Sequence, residues 1–98
     1  MFIRIVKMKF QADRITDFLS NFNANKDKIR AFEGCSFLEL YQAKDTPEIF
    51  FTYSYWDSEE ALENYRNSEL FKTVWKQTKI LFAGKPEAWS VDRIESLP

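Results

Sequence analysis

The chain has 98 residues, 45% of them hydrophobic and 17% aromatic, and its fourteen Lys and Arg against fifteen Asp and Glu leave a formal net charge of −1. That length suits a single domain, 1–98, and the balanced, unclustered charge lacks the basic face of a nucleic-acid binder. Histidine is absent and Cys35 is the only cysteine, which excludes histidine catalysis, a histidine-ligated metal or haem, a cysteine metal cluster and an intrachain disulfide.

Residues 2–10, FIRIVKMKF, interleave Arg4, Lys7 and Lys9 with Ile3, Ile5, Val6 and Met8, predicting a strand at least partly covered on both faces. This N-terminus is wrong for a signal peptide, and no apolar stretch approaches the ~20 residues that span a bilayer, so a cytoplasmic protein is expected. Ile15, Phe18, Leu19, Phe22 and Ile29 recur at helical spacing after Asp13, a candidate N-cap, and Gly34 is placed to stop the helix. CSFLELY, from Cys35, predicts a second strand, and the turn formers of KDTP (44–47) set a third, 48–56, at hairpin distance.

That third strand carries Phe51, Tyr53 and Tyr55 on one face and Phe50 and Trp56 on the other. Asp57 or Ser58 is positioned to cap the next helix, with Glu59 and Glu60 in its first turn. Ser68 restarts it with an apolar face of Phe71, Val74, Trp75 and Thr78, closed by Leu81 or Phe82 and ended by Gly84 and Pro86. EAWSVDRI supplies a last short strand. The order β-α-β-β-α-β predicts an α+β, ferredoxin-like sandwich with two helices on one face of an antiparallel sheet. The other face stays bare although every strand reads as apolar on both sides, so a homodimer burying the bare faces is expected.

The alternating rings of residues 50–56 also fit the base-stacking strand of an RNA-recognition fold. The acidic TPEIF before Phe51 and the lack of a basic rim argue instead for packing. Cys35, directly after Gly34, reads as a filler at a strand start, and two glycines cannot build a phosphate loop. Tyr65, Phe71 and Trp75 share the inward side of the second helical region. Core packing explains them, but the polar tips of tyrosine and tryptophan seek partners when buried, which also fits a small-molecule cavity.

FEGCSFLELY after the first helix, FFTYSYWDSEEALENYRNSELF and KPEAWSV before the last strand together resemble the antibiotic biosynthesis monooxygenase family over nearly the full length. The resemblance implies a dimeric α+β barrel with sheets packed face to face and a ligand cavity between sheet and helices in each protomer. One aromatic face of the third strand then lines the protomer core and the other the dimer interface. The family includes cofactor-independent oxygenases of quinols or anthrones, a relative that handles a quorum-sensing signal, and haem-degrading members. By that resemblance, many members have glutamate where this chain has Ser54 and histidines where it has Tyr65 and Leu70. The haem ligand of the degrading branch falls at Trp75.

The resemblance therefore implies a cofactor-free monooxygenase of a small electron-rich aromatic, quinol- or anthrone-like. Tyr65 and Trp75 are its candidate catalytic donors, and Ser54, Phe71 and Arg4 its candidate substrate contacts. Its expected partners are a second copy and a small aromatic metabolite, with no metal, cofactor, nucleic acid or membrane. The missing histidines leave open a non-catalytic dimer of the same fold that binds such a metabolite.

Overall fold

A computed structural model describes residues 1–98. The N-terminal alternation forms β1 (Phe2–Lys9), followed by α1 (Ile15–Arg30), β2 (Cys35–Gln42) and β3 (Ile49–Trp56). Two short helices, α2 (Glu59–Arg66) and α3 (Glu69–Lys79), then lead to β4 (Glu87–Val91). The strands form one antiparallel sheet in the order β2-β3-β1-β4, the ferredoxin-like arrangement, with the helical region after β3 broken in two. Ser68 sets that break, as Ser58 sets the start of the region. The Ser58 hydroxyl accepts from the Ala61 N–H and the Ser68 hydroxyl from the Phe71 N–H, each at 3.1 Å, satisfying helix donors that have no partner of their own.

The first helix departs from expectation at its start. Asp13 lies one residue too early to cap it. Arg14 occupies the N-cap without a side-chain hydrogen bond and instead pairs with first-turn Asp17 at 2.7 Å. Leu19 is exposed, because the buried stripe follows Ile15, Phe18, Phe22 and Ile29 and leaves it at the edge. The helix ends at Arg30, before Gly34, and α3 ends at Lys79, before Gly84 and Pro86. Gly34 is required for another reason. Its φ is +92°, and an added Cβ would lie 2.4 Å from the Ala61 Cβ, so the turn into β2 and the first turn of α2 touch only because it has no side chain.

Pairing register fixes the two faces of the sheet. Phe2, Arg4, Val6 and Met8 of β1 face the helices together with Phe50, Thr52, Ser54 and Trp56 of β3, across from which they sit. Phe51, Tyr53 and Tyr55 share the opposite, helix-free face with Ile3, Ile5, Phe37 and Trp89. β4 corrects one expectation: its helix-side residues are Ala88 and Ser90, and only its outer side, with Trp89 and Val91, is large and apolar.

Under the helices the core gathers in two clusters. One is Met8, Phe10, Phe18, Phe50 and Leu81, and the other is Phe2, Cys35, Trp56 and Leu62. Burial pushes the Cys35 thiol up from its ordinary value, which keeps it in the unreactive protonated form and fits a packing role.

Candidate functional site: a ring-walled cavity between sheet and helices

The helix-side residues of β3 run Phe50, Thr52, Ser54, Trp56, large at both ends and small in the middle. The ends are filled by the two core clusters. Over the small middle the space is open: a cavity of about 330 Å³ is lined by Met8 and Phe18 from one cluster and Trp56 and Leu62 from the other. Its floor includes Arg4, Val6, Thr52, Ser54 and Ala88, and the volume lies at the lower end of the ~300–1,000 Å³ typical of small-molecule sites.

The roof is aromatic. From Trp56, ring centroids step 5.0 Å to Tyr65, 5.2 Å to Phe71, 5.8 Å to Trp75 and 5.5 Å to Phe82, which meets Phe10 at 5.3 Å. This continuous series joins the two clusters and holds each ring by its neighbours. Thr78, below Trp75 on α3, ties the roof to α1: it donates to the Val74 carbonyl at 2.7 Å and accepts from Asn21 at 3.2 Å.

The sequence-predicted residues Arg4, Ser54, Tyr65, Phe71 and Trp75 all line this one cavity. Ser54 stands directly across from Arg4 in the sheet, and its Oγ accepts the Trp56 indole N–H at 2.9 Å, leaving its own proton to give. Burial drives the Tyr65 phenol well above the ordinary tyrosine value, with Cys35 adding to the shift, so the hydroxyl stays protonated and keeps a proton to donate. Its backbone carbonyl accepts the Ser68 hydroxyl at 2.6 Å, which ties α2 to α3 at the turn between them.

Arg4 donates through Nη1 to Ser90 Oγ at 3.0 Å, and its pKa is lowered first by burial and then by the nearby Arg66. No ion pair neutralises Arg4, since the two in the chain are Arg14 with Asp17 and Arg66 with Glu63. Thr52 and Arg66 line the same cavity and were not singled out from sequence. The signal for Thr52 was the large–small–small–large run of β3. Arg66 had the weaker signal of adjoining Tyr65 at the end of its helix. Leu70 is not among the lining residues.

No three Cys, Asp or Glu side chains come together to hold a metal ion, and no helix is long and apolar enough to cross a membrane. A hollow of this kind, walled by rings with a few fixed donors, suits a flat, mostly apolar molecule with one or two polar atoms.

Solved structures share the fold. One is a conserved protein from Methanosarcina mazei Go1, at TM-score 0.88 and 21% identity over 95% of this chain and 93% of that one. An antibiotic biosynthesis monooxygenase superposes at TM-score 0.90 and 17% identity over 97% and 100% of the two chains. A Mycobacterium tuberculosis protein does so at 0.88 and 18% identity, over 99% and 98%. At such identities the likeness concerns the fold alone. No curated protein matches significantly. The sequence itself, however, matches the antibiotic biosynthesis monooxygenase family over residues 1–77, more than three quarters of its length, and the chain belongs to that family.

Proposed function

We propose that the chain is a cofactor-independent monooxygenase of a small electron-rich aromatic, quinol- or anthrone-like, and that it works as a homodimer. The observation that carries this reading is the cavity, ring-walled and furnished with a tyrosine hydroxyl kept neutral, in a chain of this family.

The chemistry needs no redox group from the protein. An anthrone loses a proton from its ring methylene to give a delocalised anion with charge on oxygen. The anion passes one electron to O₂, and the resulting radical and superoxide combine through a new C–O bond. Protonation of the peroxide and cleavage of its O–O bond release water and leave a carbonyl. The methylene carbon gives up four electrons in all and O₂ takes them, one oxygen atom ending in the product and one in water. The protein's part is to hold the ring in a dry site and favour its anion. Tyr65 and Trp75 supply hydrogen-bond donors for the anionic oxygen, Phe71 a ring to stack on, and Ser54 and Arg4 polar contacts on the floor.

The cavity holds neither histidine nor carboxylate, so the roughly 10²–10⁴-fold of positioned acid–base catalysis is forgone. The rate should therefore be modest and rise with pH as the substrate ionises. Oxygen uptake with 1,8-dihydroxyanthrone and metal-free protein tests this. One O₂ per anthrone, faster than in buffer and slowed in Tyr65→Phe without loss of fold, is expected. Equal rates with and without protein overturn catalysis.

The lack of a base favours the second reading, a non-catalytic dimer that binds the same class of molecule. Ligand-induced rise in melting temperature without turnover would select it.

The homodimer rests on the helix-free face. Tyr41 and Trp89 are exposed there at 44% and 45%, beside Phe37 stacked on Tyr55 at 4.4 Å and Tyr41 edge-on to Tyr53 at 5.2 Å. Arg93 donates to the Tyr55 hydroxyl at 2.7 Å, tying the segment after β4 to this aromatic surface. Light scattering at micromolar concentration should give twice the chain mass, and Tyr53→Asp should give a folded monomer. A wild-type monomer would remove the dimer.

A further inference from the structure

Charge in the cavity is of one sign. Nineteen residues line it, and the charged ones are Arg4 and Arg66, with no carboxylate among them. Arg4 is the informative one. It is half-buried on the central strand β1, one of its five N–H donors is taken by Ser90, and it has no acidic partner. Glu59, Glu60 and Glu63 border a groove outside the cavity where Arg4 and Arg66 also surface. Arg66 reaches Glu63 at 3.8 Å, while Arg4 pairs with none of the three. A partly buried guanidinium beside a second guanidinium is a costly arrangement unless an anion relieves it.

Building on the monooxygenase reading, we propose that the ligand of this cavity is an aromatic carboxylate, its acid group held by Arg4 with support from Arg66. The guanidinium presents parallel N–H donors that match the two carboxylate oxygens, a fit a phenolate oxygen cannot complete. Ser54, directly across the sheet from Arg4, has a hydroxyl proton to add from the same floor. The rings of the roof then stack on the aromatic body, and Tyr65 is left for the phenolic or ketonic oxygen where the reaction develops charge. Substrate is thus selected by a permanent negative charge remote from the oxidised carbon, and the reaction's own anion is stabilised separately.

The test is binding rather than turnover. Anthracene-2-carboxylate and its methyl ester are titrated into the wild-type protein at neutral pH, followed by tryptophan fluorescence. The acid should bind roughly tenfold or more tighter than the ester, the scale of a charge-assisted hydrogen bond. Arg4→Gln should abolish that preference, and Arg66→Gln should reduce it. Equal wild-type affinities for acid and ester would overturn the carboxylate assignment while leaving the cavity as a binding site. Failure of both ligands to bind would overturn the cavity reading and this inference with it. The wild-type comparison decides the matter even if Arg4→Gln fails to fold.

Discussion

The two faces of this sheet are made from the same kind of residue and end in different states. On the helix side of β3, Phe50 and Trp56 are almost fully buried and stand apart, separated by Thr52 and Ser54. On the bare side, Phe51, Tyr53 and Tyr55 follow one another without a small residue between them and stay half-exposed. Interrupted aromatics under a helical layer make two packed ends with a hollow between. Uninterrupted aromatics with no cover make a continuous surface. Aromatic content therefore says little about role, and the spacing of small residues among the rings says much.

Neighbouring residues offer the sharpest way to break this comparison. Phe50→Ala should destabilise the fold by about 3–5 kcal/mol, the usual cost of emptying a buried phenylalanine site. Phe51→Ala, one residue on and facing away, should cost well under half of that at low protein concentration. Its main effect should be to flatten the rise of melting temperature with concentration that a dimer requires. Chemical denaturation of both variants across a dilution series measures this, and equal costs would erase the distinction between the faces.

Gly34→Ala probes how closely the helix layer is seated. The new methyl group meets Ala61 in a backbone conformation unfavourable to it, so a loss of about 1–3 kcal/mol is expected by denaturation. Gly84→Ala, with open space around it, should be near neutral.

The smallest effect is a pH dependence. Tyr65 is neutral in the folded state at pH values where a free tyrosine ionises, so above the ordinary value of about 10 the unfolded chain has lost a proton that the folded one keeps. Stability should be unaffected by this group below that pH and fall with rising pH above it. In Tyr65→Phe the alkaline fall should be shallower, as read from melting temperatures between pH 8 and 11.

Much of this was legible in the sequence. Alternation and helical spacing placed all four strands and the three helical segments. Ser68 was legible as a cap, and Ser58 as one of two candidates with Asp57, because the cap chemistry is local. Asp13 misled because a capping side chain one residue out of place looks the same in sequence. The two faces of β3 were separable by period, but which lay under the helices was not, since both carry large rings. Thr52 and Ser54 held that information: a small pair inside a large-ended strand marks the face that lies over a cavity. Arg66 reaches the cavity through the orientation of α2 against the sheet, a tertiary matter with no local pattern.

Three tryptophans allow the central claim to be tested in one titration, because Trp56 and Trp75 line the cavity while Trp89 stands on the bare face. Under anaerobic conditions 1,8-dihydroxyanthrone is added to the wild-type, Trp75→Phe and Trp89→Phe proteins, and the fraction of emission quenched at saturation is measured. An aromatic ligand seated between sheet and helices quenches the largest fraction in Trp89→Phe, less in the wild type and least in Trp75→Phe. The reverse order, with quenching lost in Trp89→Phe, would place the ligand on the bare face and contradict the cavity as the binding site.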